Sequence, residues 1–295
     1  MLTTSLVVAS RNRADRLRQF LARLPVASLL AHGTDIALVD GASSDDTAAV
    51  MRDFAAAAPF PVAYVTANQP GLAHAQKLGV ELARGDLLIF TDDDCVLDPT
   101  YLSELTDRFD PNQFQYGTGE ILPADPDADP RIANTQWWTY DDLTLIPAHT
   151  VVEPGWIQSA NMFFLREVLK AVGGPVQVGS EANSGLLTPQ LASQRGYVGA
   201  IMPGPKVYHD HGRRRDSAEA EATVDRYARS RGSYFGRLLA DRQLNPFVLW
   251  HRNLRLSLPW PDLRRLSMEL RAAADEIDRQ LEERGTATGA RRNAG

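Results

Sequence analysis

The chain has 295 residues, 44% of them hydrophobic, which suits one large domain or a domain with a helical appendage. A formal charge of −6 excludes general nucleic-acid binding, which needs a basic surface. The single cysteine, Cys95, rules out an intrachain disulfide and points to a reducing, cytoplasmic setting, and no stretch reaches the roughly 18 uninterrupted apolar residues of a membrane span.

Met1 to Ser10 turns polar at once and reads as a first strand on Leu6-Val7-Val8-Ala9, not as a signal peptide. A helical pattern runs from Ala14 to Leu24. Ile36-Ala37-Leu38-Val39 is a second strand ending at Asp40. Asp45-Asp46-Thr47 opens a helix through Ala57, with acids at its positive end. Pro61 to Thr66 is a third strand, Leu72 to Ala83 a third helix and Leu87 to Thr91 a fourth strand. This alternation predicts an α/β fold, a mainly parallel sheet with helices on both faces.

Three carboxylates, Asp92-Asp93-Asp94, stand directly behind the fourth strand. The C-terminal edge of such a strand is where open α/β sheets place ligands. Three like charges in a row need a compensating cation, and hard divalent metals that also hold phosphate supply one. The plainer reading is a solvated acidic turn opening the next helix at Asp98-Pro99. Cys95 follows the triplet as a small buried residue, because no activating base stands beside it.

The pattern changes after about residue 115. Pro123 to Pro130 is an acidic loop carrying Asp125, Asp127 and Asp129, without the Gly and distal Glu of a calcium loop, and is expected to be exposed. Trp137-Trp138-Thr139-Tyr140 either fills a core or stacks on a sugar. From Arg213 to Arg265 twelve arginines and six acids mix with Leu and Trp. Helices packed on the preceding domain explain this, with peripheral contact at the inner face of a membrane as the alternative. Leu263, Leu266, Leu270, Ala273, Ile277 and Leu281 form a near-heptad stripe that predicts a terminal helix which docks or forms a homodimer. Gly285 to Gly295 reads as a disordered tail.

Several motifs now stand in order at strand ends. They are Ser10-Arg11-Asn12-Arg13, Val39-Asp40-Gly41, Asn68-Gln69-Pro70-Gly71, Gly85 to Asp94, Ala160-Asn161-Met162 through Glu167, and Val172-Gly173-Gly174. In order and spacing they closely resemble glycosyltransferase family 2, over roughly residues 4 to 211. The resemblance implies a GT-A fold across 1–212, with a nucleotide-sugar half at about 1–120 and an acceptor half at about 121–212, followed by a helical region at 213–284. It implies a hexosyltransferase-like, inverting transfer from a nucleoside-diphosphate sugar, UDP before GDP, to an unidentified hydroxyl acceptor. It also implies Mn2+ or Mg2+ on the diphosphate.

By the same resemblance Asp40 reads the nucleobase, Asp92 faces ribose or metal, Asp94 binds the metal, and Ser10, Gly71, Lys77, Thr91 and Asp93 belong to the donor site. Arg11 and Arg13, with Asn12, stand at the same rim, to grip phosphate or base or to remain surface arginines. His209 or His211, at the end of Lys206-Val207-Tyr208, is placed to complete a metal shell, with His209 favoured by the spacing. Arg213-Arg214-Arg215 then closes over the diphosphate or forms an exposed turn. The chain departs from the family at the general base. Ser184-Gly185 stands where a Glu-Asp pair is expected, and Glu181 is the nearest acid, either the base or an exposed loop glutamate. Two rivals follow. One is a nucleotide-sugar-binding relative without transferase activity. The other is a haloacid-dehalogenase-type phosphatase, disfavoured because its acidic signature belongs after the first strand.

Overall fold

Strands buried on both faces read as unbroken apolar runs, and the first half of this chain supplies them. In the computed structural model these runs become β1 (Thr4–Ser10), β2 (Asp35–Asp40) and β4 (Leu87–Asp92), while β3 (Val62–Thr66) is a half-exposed edge. Between them lie α1 (Ala14–Ala22), α2 (Val26–Ala31), α3 (Thr47–Ala57) and α4 (Leu72–Leu82). The helix expected through Leu24 ends two residues early, and Pro25 caps a separate α2. The structure describes residues 2–135, 142–179, 184–242, 246–255 and 262–292. The Trp137–Tyr140 cluster and Glu181 lie outside them.

The chain continues through β5 (Cys95–Leu97), α5 (Tyr101–Arg108), β6 (Tyr116–Pro123), β7 (Thr144–Ile146), β8 (Asn161–Leu165), α6 (Arg166–Val172), α7 (Ser184–Gln194) and β9 (Gly199–His209). It ends in α8 (Ala218–Asp241), α9 (Phe247–Arg255) and α10 (Leu263–Arg292). The strands form one sheet in the order β3-β2-β1-β4-β8-β6-β9-β5, with β7 on β9. β3, β2, β1 and β4 run parallel, and β8 is antiparallel to both β4 and β6. The order steps outward from β1 to β3, then returns to β4 on the other side of β1. That reversal opens a crevice at the C-terminal ends of β1 and β4, the usual ligand position in such sheets.

Two buried features lock this frame. Asn161 accepts from the Tyr101 hydroxyl at 2.6 Å and donates to the carbonyls of Glu120 and Pro205 at 2.8 and 3.0 Å, joining α5, β6, β8 and β9. Arg166 donates to the carbonyls of Val80, Ala83 and Gly85, closing the C-terminal end of α4. The main apolar core lies on the sheet. A second cluster joins Val178 and α7 (Leu186, Leu187) to Tyr234, Phe235 and Leu238 of α8, Trp250 of α9 and Ala273 of α10. No helix among the described residues is long and apolar enough to cross a membrane.

The terminal helix docks, but not by its leucine stripe. Glu269, Ala273, Glu276 and Gln280 are the buried positions, while Leu263, Leu270 and Leu281 are 70%, 50% and 57% exposed. The reason is polar. Glu269 accepts from Arg231 of α8 and from the Trp250 indole, and Arg264 and Arg265 reach Asp225. α10 also runs to Arg292, over much of the segment expected as a tail. Gly232 and Gly236 bring the α8 backbone against α10. A Cβ at Gly232 would lie 2.1 Å from the Glu269 carbonyl oxygen, whereas one at Gly285 would meet nothing within 4 Å. Gly232→Ala should therefore lower stability by about 1–3 kcal/mol, as overpacking does. Gly285→Ala should raise it by up to about 1 kcal/mol, from helix propensity alone. Chemical denaturation checks both, and equal effects would remove the close-approach argument.

Candidate active site

Sheet register assembles the site. Ser10 pairs with Asp40 and Ala9 with Asp92, so three strand ends come level across β2, β1 and β4. Asp93 and Asp94 form the turn from β4 into β5, and Cys95 of β5 pairs with His209 at the end of β9. A histidine late in the chain is thereby fixed beside the acidic turn.

The acids do not share one environment. Asp94 is buried, not solvent-facing as a strand-end acid would be. It accepts from Arg13 Nη2 at 2.7 Å and lies 3.1 Å from His209 Nε2. Burial would raise its carboxyl, but the His209 hydrogen bond and the charges of His209 and Arg13 outweigh it and hold the group below the usual carboxylate range. His209 answers in kind. Burial disfavours its protonation, yet Asp94, with Asp92 beyond, raises it above the ordinary imidazole value. Asp93 accepts from the Ser10 hydroxyl and pairs with Arg13 at 3.1 Å, and burial still raises it. Among the described residues Asp92 has no such partner. Burial and the charges of Asp94 and Asp93 push it up to about 6.

Asp92 thus bears a cost that a cation would relieve. Its folded pKa of about 6 exceeds the unfolded value near 4, so the folded chain keeps a proton through that window that the unfolded chain has released. Stability falls as pH rises through the window, and the full cost is present above about pH 6. Asp92→Asn should accordingly stabilise the metal-free protein by about 1–3 kcal/mol above that pH. The readout is a higher melting temperature in chelating buffer at about pH 7.5, a gain that fades toward pH 4. A melt equal to wild type at both values would refute it.

These groups face a cleft of about 450 Å³. One wall carries Arg13, Asp92, Asp94 and His209. The loop 130–134 and residues from 154 to 160 also line it, Leu186 of α7 contributes an apolar contact, and Thr223, Arg226, Tyr227, Ser230 and Arg231 of α8 supply a helical wall. Their spacing of three and four residues presents one face of α8.

The other sequence-expected residues fall around this cleft in different roles. Asp40 is buried and accepts from the Ser43 N–H at 3.1 Å, and it does not line the cleft among the described residues. Asn12, at φ 53°, ties the rim to the second loop, its Oδ1 accepting from the Ser44 N–H and its own N–H donating to the Ser43 hydroxyl oxygen. Arg11 is exposed and lies over Gly41. Thr91 donates to the Ala160 carbonyl at 2.9 Å, within the fold. Gly71, at φ 148°, turns the chain into α4, next to Leu72 of the cleft. Lys77 is exposed, its stem over Gly174. His211 stands edge-on to His209, ring centres 5.2 Å apart, and its Nδ1 accepts from Arg213 N–H. Burial, with the nearby His209 and Arg213, lowers it. The acidic loop before Pro130 is not wholly exposed. Asp129 is buried because Arg131 grips both its oxygens. The α8 wall escaped sequence reasoning. Its only trace was the polar, basic spacing within the Arg-rich stretch.

Among the described residues one group has ligand atoms close enough for a metal, Asp94, Cys95 and His209, all within 4.8 Å of one another. The Cys95 thiol is held far above its usual value by burial and the neighbouring acids. A protonated thiol is a poor ligand, so the usable donors are carboxylate oxygen and imidazole nitrogen, a set that fits a divalent metal of the transition series more readily than an all-oxygen one. Asp92 lines the same cleft, outside that group of mutually close ligand atoms.

A parallel half-sheet, a switch crevice bearing an acidic turn and a helical wall on the cleft are the arrangement of the GT-A fold. The profile of Glycosyl transferase family 2 matches residues 5–173, and the chain belongs to that family. Among solved structures it is similar to the mannosyltransferase PcManGT from Pyrobaculum calidifontis in complex with GDP-Man and Mn2+, at TM-score 0.61 and 18% identity, covering 100% of this chain and 81% of that one. It is also similar to residues 1–349 of S. aureus TarS in complex with UDP-GlcNAc, at TM-score 0.57 and 12% identity, covering 98% and 92%. A comparison with curated proteins returns no match.

Proposed function

We propose that this chain is a metal-dependent, inverting glycosyltransferase, with a UDP-sugar as the expected donor and a GDP-sugar as the alternative. One observation carries the reading. Asp92, Asp94 and His209 converge at the switch crevice and face a cleft closed by α8. The GDP-Man, Mn2+ and UDP-GlcNAc held by the two structural neighbours support the donor class.

Asp92, Asp94 and His209 would hold the metal, which when bound supplies Lewis-acid charge at the leaving diphosphate. Arg13 now neutralises Asp93 and Asp94 and keeps both carboxylates in place. In the proposed reaction the acceptor hydroxyl approaches from the side opposite that diphosphate and gives up its proton to Glu181. Both flanks of that residue's segment are described. Gly179 abuts Ser233 of α8, and Leu186, just inside α7, lines the cleft.

Asp40 is the proposed reader of the nucleobase, accepting an imide N–H. Its present partner is the Ser43 N–H, which leaves acceptor capacity on the carboxylate. Asp40→Ala is expected to weaken nucleoside-diphosphate binding by about 1.5–3 kcal/mol, the range for a hydrogen bond to a charged group. Calorimetry with uridine and guanosine diphosphates in Mn2+ buffer tests this. Wild-type affinity for both would make Asp40 a loop-bracing residue only.

A further inference from the structure

The cleft holds more positive charge than its donor end can use. Five arginines line it among the described residues, and three have carboxylate partners. Arg13 pairs with Asp93 and Asp94, Arg131 with Asp129 and Glu221, and Arg231 with Glu269. Arg226 is exposed and donates only to the Thr223 hydroxyl at 2.9 Å. Arg213 is half-buried, and its guanidinium makes only a long contact, 3.5 Å, to the His211 carbonyl. Neither has a carboxylate partner among the described residues. An exposed arginine on a convex surface is simply solvated. Here both line a concave site, where walls of low polarisability focus the field of like charges.

On the proposed function, on which this step rests, the divalent metal faces the diphosphate of the donor, and Arg13 is already committed to Asp93 and Asp94. Two guanidiniums remain, one on the loop after β9 and one on the α8 wall. Their planar forks suit an oxyanion. Around them Thr223, Tyr227 and Ser230 give the same α8 face hydroxyl groups. We infer that the acceptor is itself anionic: a hydroxyl compound carrying a phosphate or carboxylate that Arg226 and Arg213 seat against α8.

The test uses the full chain with uridine or guanosine diphosphate and Mn2+ bound, so that the donor half is filled. Glycerol 3-phosphate, glycerate and glycerol are then titrated calorimetrically. The phosphate or the carboxylate probe should bind at least about tenfold more tightly than glycerol, and whichever binds identifies the oxyanion. Arg226→Gln should remove most of that preference and Arg226→Lys should keep part of it, both with unchanged nucleotide affinity. Arg213→Gln should also lower that preference, and the nucleotide readout is taken from the Arg226 variants alone. If neither probe outbinds glycerol, or the preference survives both glutamine variants, the inference is wrong. If Arg226→Gln weakens the nucleotide as much as the probe, the arginine serves the donor, and the inference is again wrong. If no nucleoside diphosphate binds at all, the proposed function fails separately. The same titration on the unloaded protein then judges the anion site, which stands if probe binding depends on Arg226 and falls if it does not.

Discussion

Asp94→Asn is expected to abolish metal-dependent binding of a nucleoside diphosphate and to lower sugar transfer on the order of 10²-fold or more. Removing a ligand of the proposed metal should exceed the 10- to 100-fold typical of supporting residues. Asparagine is the informative replacement because Asp94 is buried between Arg13 and His209. An alanine would strip His209 of its carboxylate and leave Arg13 only Asp93, and breaking a buried pair costs up to about 3–5 kcal/mol, less here because Arg13 is partly solvated and keeps that second partner. Asparagine keeps the shape and an acceptor oxygen toward one partner, removes the charge and turns a donor NH2 toward the other. Calorimetric titration with Mn2+ present and then chelated gives the readout. Equal metal-dependent affinity in variant and wild type would move the metal away from the acidic turn.

Glu181→Gln carries the second large effect. Transfer should fall about 10²–10⁴-fold while nucleotide-sugar affinity stays at the wild-type level, the signature of losing a positioned base without losing the donor site. Single-turnover transfer and donor binding, measured on the same preparation, separate the two quantities. Transfer at the wild-type rate would remove Glu181 from the reaction and turn attention to Asp210. That residue is ion-paired with Arg16 at 3.1 Å and would first have to give up that partner. Tight donor binding with no transfer in the wild type itself would instead favour a nucleotide-sugar-binding relative.

Much of the donor half was legible because its information is local. β1, β2 and β4 are buried on both faces, so their centres are uninterrupted apolar runs, and the acids that end β2 and β4 stand at a predictable edge. The His209–Asp94 contact was approached only through family spacing, since nothing in either segment encodes a partner 115 residues away. The α8 wall and the Arg13–Asp94 pair were not legible, as both depend on how distant elements pack. α10 shows the opposite failure. Its leucine stripe was plain in the sequence, yet the buried face is polar, because Arg231 and Trp250 converge on Glu269 and two glycines admit the backbone. Periodicity reports that a helix is two-faced. It does not report which face its neighbour takes.

The pairing of Cys95 with His209 has a consequence for how the protein is made. β4 and the acidic turn are synthesised early, but the strand that brings the imidazole is the last of the sheet. A nascent chain that has not yet laid down β9 therefore carries a cluster of acids without its histidine. Contacts of such long sequence separation close late in folding. Assembly of the acid–imidazole pair thus marks the moment at which the sheet is complete, and a chain stalled or cut before His209 would carry the acidic signature without the centre it implies.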